Sequence, residues 1–226
     1  MKIRMGLIAS TAIVFLASAA VGWGGTIAIN NPSFENPSCG SQTTTSLACG
    51  APTGWTQDGN DLAAAFLPAS TDVLQAFDGS QYAYTNGGAS LDQVLSTTIQ
   101  ANADYELTIW VANRTNPNMT GFCKLCTFDP QVQLVSATTD TILGTASGTT
   151  PSVGNNWSEW TLFYDAPASG TPIGENLEII LSSGANQGDY DLVGLTSNVP
   201  EPSTFLFAGV GLLGLGFAAR RRRLAR

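Results

Sequence analysis

The sequence predicts an all-β body, a two-sheet β-sandwich of jelly-roll type, set between two short apolar ends. Three observations carry this. From about Thr26 to Asn198 no stretch sustains the apolar period of a helix. Short segments there alternate apolar and polar residues instead, and Gly, Pro, Asn and Asp bound them, which is the pattern of strands and turns. The two ends are different: each is a short uncharged run flanked by basic residues.

Taken in order, the strand candidates begin with SQYAYTNG (80–87) and LDQVLSTTIQ (91–100). The clearest follows, DYELTIWVANR (104–114). Its Tyr105, Leu107, Ile109 and Val111 fall on one face, with Glu106, Thr108, Trp110 and Ala112 on the other. PQVQLVSA (130–137) is next. WSEWTLFYDAP (157–167) alternates Trp160, Leu162 and Tyr164 against Thr161, Phe163 and Asp165. NLEIILSS (176–183) and YDLVGLTS (190–197) complete the set. With the opening segment this gives about eight strands, the number and spacing of a sandwich or jelly roll. No internal repeat is present, and no linker is long enough to divide the body.

Charge narrows the function. The chain has nine Lys/Arg and 17 Asp/Glu, a net charge of −8. Only Arg114 and Lys124 lie away from the basic termini, whereas every acid but Glu201 falls between Glu35 and Asp191. A body this acidic repels phosphate backbones, so nucleic acid is not an expected partner. There is no histidine, which removes the commonest general base, the Ser–His and Cys–His nucleophile pairs and the commonest metal ligand. Any catalysis must rest on carboxylates. Glu35, Asp78, Glu106, Glu159, Asp165, Glu178 and Asp191 are all available, and nothing in the sequence selects a pair. The expectation is therefore a binding protein and not an enzyme.

The ends are addresses. Residues 1–20 carry Lys2 and Arg4, an apolar run from Met5 to about Leu16, then Ala17-Ser18-Ala19-Ala20, the layout of a signal peptide cut by signal peptidase. At the other end, residues 205–219 form an uncharged span of about 22 Å as a helix, marginal against a bilayer core of ~30 Å. Arg220 to Arg223 then hold the far side in the cytoplasm. Val199-Pro200-Glu201-Pro202-Ser203, followed by this span and the arginines, resembles the PEP-CTERM sorting signal of Gram-negative bacteria. The resemblance covers residues 199–226. It implies an inner-membrane-tethered precursor, cleavage by an exosortase near Pro200, Glu201 and Pro202, and a final place on the outer surface or in the extracellular matrix. Such proteins belong to bacteria that make exopolysaccharide and biofilm.

Residues 26–198 resemble galactose-binding-like jelly rolls, the architecture of many carbohydrate-binding modules. NNPSFENP (30–37) is similar to their opening strand, TGWT (53–56) to the next segment, and FDGSQYAYT (77–85) to the Asp-Gly turn into a Tyr-rich strand. LDQVLSTTIQANADYELTIWVANR (91–114) is similar to the paired strands crossing the sandwich, and YDLVGLT (190–196) to the closing strand. The chain departs from the pattern where Leu192 follows Asp191, a place usually held by Asn or Asp. The resemblance implies one structural calcium joining the first strand to the last through Glu35 and Asp191, with Asp78 as a third ligand; calcium takes such hard oxygen donors. The other reading is that these acids are edge-strand charges.

Four cysteines in an exported protein predict disulfides, and three connectivities are open. Cys39–Cys49 with Cys123–Cys126 is favoured, each pair closing a small loop. A four-thiolate zinc site needs both pairs at short spacing, and only Cys123 and Cys126 have it. A redox role has no βαβ pattern around the C-x-x-C to support it.

For function, the sequence predicts an exported protein that binds carbohydrate, the producer's own exopolysaccharide. Sugar rings lie on aromatic faces while polar side chains at the rim take the hydroxyls. Trp110, on the outward face of its strand with Asn113 and Arg114 after it, is one platform, and Trp157 at a loop end is a second. The alternatives are a structural or adhesive matrix protein in which both indoles pack under loops, and, behind that, a secreted glycan hydrolase.

Overall fold

The computed structural model describes residues 25–59, 63–114, 128–152, 154, 156–184 and 186–198. Thirteen strands are found among them and no helix. In chain order they are β1 (Gly25–Thr26), β2 (Leu47–Ala48), β3 (Thr56–Asp58), β4 (Ala63–Leu67), β5 (Tyr82–Asn86), β6 (Ser90–Thr98) and β7 (Asp104–Ala112). β8 (Pro130–Ser136), β9 (Thr141–Thr145), β10 (Ser147–Gly148), β11 (Trp157–Asp165), β12 (Asn176–Ser183) and β13 (Gln187–Asn198) follow. They form two antiparallel sheets. The large one runs β10-β11-β7-β13-β5-β4-β2, with β1 added beside β13, and the small one runs β3-β6-β12-β8-β9.

The core lies between them and is built from the alternation read in the sequence. Tyr105, Leu107, Ile109 and Val111 of β7 meet Leu177, Ile179 and Leu181 of β12, all at most 1% exposed. Val132 and Leu134 of β8 and Leu91 and Leu95 of β6 fill the same layer. Each such side chain contributes on the order of 1.5–3 kcal/mol by leaving water. On β11, Leu162 is buried while Phe163 points to solvent at 71% exposure, as alternation predicts.

β13 departs from simple alternation. Its register against β7 shifts between Asp191 and Gly194, so Tyr190, Val193 and Leu195 all reach the core. The extra residue is absorbed at Leu192, in a left-handed conformation at φ 46°. Through this bulge the last strand keeps its core contacts and also turns Asp189 and Asp191 onto the opposite face.

The Cys39–Cys49 disulfide is formed, with Cα atoms 5.5 Å apart. The Cys123–Cys126 pair, residues 1–20 and the Pro200-Glu201-Pro202 tail lie outside the described residues.

Candidate functional site

Residues directly opposed across antiparallel strands share a face. On the outer face of the large sheet this rule assembles two rows. One runs Trp157, Ala112, Asp189, Tyr84, Ala64, and the other runs Glu159, Trp110, Asp191. Tyr82 and Phe66 are opposed on the same face.

The chain between β4 and β5, residues 68–81, crosses this half of the face as a strap. Leu74 buries itself with Phe66, Tyr82 and Ala112 in a second, smaller core. The Trp157 indole N–H donates to the Gln75 carbonyl at 3.0 Å, and its ring meets Tyr82 edge-on. Phe77 stacks on Trp110, centroids 3.8 Å apart and planes 15° from parallel. The strap's end is held by carboxylates. Asp191 Oδ2 accepts from the backbone N–H of Phe77 (2.8 Å) and Asp78 (3.0 Å), and Glu35 Oε1 from Ser80 (2.8 Å) and Gln81 (2.7 Å). Asp78 in turn accepts from the Ser33 hydroxyl.

Beneath the strap sits Arg114, its side chain 8% exposed. The guanidinium lies 4.2 Å above the Phe66 ring, with Tyr82 and Tyr84 at 5.9 and 5.7 Å. It donates to the Tyr82 hydroxyl at 3.3 Å. Its Nε lies 3.7 Å from Asp189 Oδ1, close enough for charge attraction and too far for a hydrogen bond. That oxygen accepts instead from Gln187 Nε2 at 2.8 Å.

These positions shift the acids. Asp189, 1% exposed, is pushed up to about 6 by burial, against the pull of Arg114. Asp191, fully buried, is pushed up to about 7 by burial, against three backbone N–H donors. Tyr82 is raised by burial above the ordinary phenol range, so it stays neutral. The face thus carries two buried acids whose proton affinity burial raises, Asp191 the more of the two, among aromatic rings and under a covering strap.

The sequence offered Trp110, with Asn113 and Arg114 after it, and Trp157 as two separate platforms; in the structure Trp110 and Trp157 lie on the same outer sheet face. Trp110 and Trp157 are not bare platforms, however: Phe77 covers the first and the strap engages the second. Arg114 is not a rim residue but a buried one, drawn in by Asp189 and three rings. Glu35 and Asp191 clamp the Phe77–Gln81 turn through its backbone N–H groups, and Asp78, within the turn, accepts from Ser33. Glu35 Oε1, Asp78 Oδ2 and both Asp191 oxygens accept N–H or O–H bonds from the protein itself. Glu178 lies on the small sheet, far from the row of acids on β13. Asp189, Tyr82, Phe66 and Phe77 went unrecognised. The one available signal was Asp189-Tyr190-Asp191, whose period of two sends both acids to one side.

The fold and site define an antiparallel sandwich whose outer sheet face carries buried acids and aromatic rings. Residues 25–196 match the HpiC1-like family, described as HpiC1 cyclase, and the chain belongs to that family. The PEP-CTERM protein-sorting motif matches residues 198–223, which makes this an exported protein sorted through the membrane and processed by an exosortase. Among solved structures, the Stig cyclase Fisc from Fischerella sp. TAU, in complex with (3Z)-3-(1-methyl-2-pyrrolidinylidene)-3H-indole, is 22% identical at a TM-score of 0.67, covering 79% of this chain and all of that one (100%). A Fischerella sp. TAU cyclase in complex with 4-(1H-indol-3-yl)butan-2-one is 23% identical at a TM-score of 0.64, over 79% of this chain and 100% of that one. The CBM22-1 xylan-binding domain of Paenibacillus barcinonensis Xyn10C is 15% identical at a TM-score of 0.41, over 70% of this chain and 98% of that one. No curated protein matches the chain.

Membership in a cyclase family corrects the expectation that the chain is not an enzyme. That expectation leaned on the missing histidine. Burial pushes Asp191 up to about 7, into the range where a histidine titrates.

Proposed function

We propose that the chain is an exported acid catalyst, which holds an aromatic small molecule on the outer face of its large sheet and gives it a proton from Asp191. The observation that carries this is the Asp189–Asp191 pair, two buried acids on one strand face, each pushed up by burial. Asp191 is the donor because its proton is held by burial with no cation beside it among the described residues, and because it is the direct cross-strand neighbour of Trp110. Protonating a ring carbon makes the ring a cation. The carboxylate left on Asp191 faces that cation, and aromatic faces stabilise positive charge. A nucleophilic arm of the same molecule can then close a new bond, and a proton lost from the cyclised product restores the acid. The strap keeps water from intercepting the cation. Family membership and the indole compounds in the Fischerella structures support the class of substrate.

The test needs no knowledge of the natural substrate. In D2O, protonation and deprotonation at C3 of indole replaces that hydrogen with deuterium, which proton NMR reads directly. The protein should accelerate exchange, and the rate should fall as pH rises through about 7, since only the protonated acid donates. Asp191→Asn should lose on the order of 10²-fold, the range for a general acid. A variant that exchanges as fast as the wild type overturns the assignment.

A second reading, binding of exopolysaccharide at the outer surface or in the matrix, is favoured by the presence of Trp110 and Trp157 on one sheet face. It requires a pyranose to stack where Phe77 now lies.

A further inference from the structure

Phe77 is an odd resident. A large apolar side chain normally earns its place by burial, yet this ring is 41% exposed. Its main partner is the Trp110 indole, on which it lies nearly flat at 3.8 Å, with Trp157 edge-on at 6.3 Å and 60°. Near-parallel overlap at this distance is a weaker arrangement for two hydrocarbon-like rings than an offset or edge-on one. Meanwhile the backbone at this point is fixed. Phe77 N–H and Asp78 N–H are bonded to Asp191, and Ser80 N–H and Gln81 N–H to Glu35. The strap therefore cannot readily lift here, but the exposed Phe77 side chain can rotate about its own bonds towards solvent.

We infer that Phe77 is the gate of the site: its ring occupies the place on Trp110 that an aromatic ligand takes, and it must swing out before that ligand can stack. This rests on the acid-catalyst reading, because a ring that replaces Phe77 lies on Trp110, the residue directly opposed to Asp191, and so beside the proposed donor. It adds a specificity rule to that reading. A flat ring recovers the stacking lost when Phe77 leaves, and the Trp157 edge contact with it; a non-planar ligand recovers neither in full.

The experiment titrates indole into the full-length chain held in lipid nanodiscs, by calorimetry with empty discs subtracted. Phe77→Ala should bind indole about three- to tenfold more tightly than wild type, the reciprocal of the stacking the gate no longer supplies. Phe77→Leu, which keeps volume but not the flat ring, should gain in the same direction by less, and it carries the test should the alanine variant fold poorly. A merely structural Phe77 would not yield tighter binding in either variant. Equal or weaker binding overturns the gate and makes Phe77 itself the platform; binding by neither wild type nor variants overturns it too. So does a gain for methyl β-xyloside in place of indole, which points to the sugar reading. The two proposals fail separately: tighter indole binding by Phe77→Ala with no acid-dependent deuterium exchange removes the catalyst and keeps the gate. Exchange in the wild type with no gain on opening removes only the gate.

Discussion

Asp191 and Asp189 differ from the other acids of this chain because the fold, and not their sequence neighbours, sets their protons. Both carry folded values, about 7 and about 6, above the 3.8 of a free aspartate. The unfolded chain releases these protons near pH 4, whereas the native state keeps them for two to three further units. Their contribution is therefore fully present below pH 4 and is lost as pH rises through 6 and then 7. Within that window one such group weakens the fold by about 1.4 kcal/mol per pH unit. Urea melts of Asp191→Asn from about pH 4.5 to 6 should show a stability slope shallower than wild type by about that amount. An unchanged slope would mean that Asp191 is ionised throughout. Half of this site was legible at the level of single residues. Trp110 drew attention as an aromatic on the outward face of an alternating strand, and Trp157 as one at a loop end. Arg114 did too, though as a rim residue. Asp189 escaped because nothing local says that an aspartate in a polar GDYD stretch will be sealed beneath a distant loop.

The strap of residues 68–81 is the element that turns a sheet face into a site, and its anchorage is carboxylate to backbone N–H at both ends of a tight turn. Gly79 sits between the two anchors at φ +71°, where a Cβ would come within 2.5 Å of Glu35 Oε1. Gly79→Ala therefore meets two penalties, a left-handed backbone and a displaced clamp. It should destabilise by about 2 kcal/mol, lowering the melting temperature by roughly 4–8 °C in a domain of this size. A shift under a degree would show that the turn re-forms without Glu35. At this scale the sequence was a good guide where one face is wet, since β6, β7, β8, β11 and β12 all alternate. It was silent on β4. Ala63–Leu67 is buried on both faces, between the core and the strap, so AAAFL has no alternation to show. The strap itself was invisible because it is fixed by long-range bonds, Phe77 and Asp78 to Asp191 among them, that no local pattern encodes.

For the molecule as a whole, the family match and the sorting motif sit side by side: a cyclase-family sandwich over 25–196 and an export address over 198–223. The address was readable because it is short, ordered and contiguous. The catalytic class was not, because the jelly-roll pattern is shared by binders and enzymes alike.

Arg114 lends the whole molecule a further property. It is the sole Lys or Arg among the described residues, and the fold spends it inside, against Asp189. The described surface is thus a polyanion with no positive charge upon it, and its exposed acids have only one another to feel. Such a body gains from counter-ions. Among the described residues the one ion pair, Arg114 with Asp189, is shielded from salt, while the repulsion among surface acids is screened as the Debye length shrinks from ~10 Å at 0.1 M to ~3 Å at 1 M. Raising sodium chloride over that range at pH 8 should raise the melting temperature, where a domain held by surface ion pairs would lose stability. A fall would place a salt-sensitive attraction somewhere on this surface. The same one-sided charge opposes the approach of anionic polymers to the described surface.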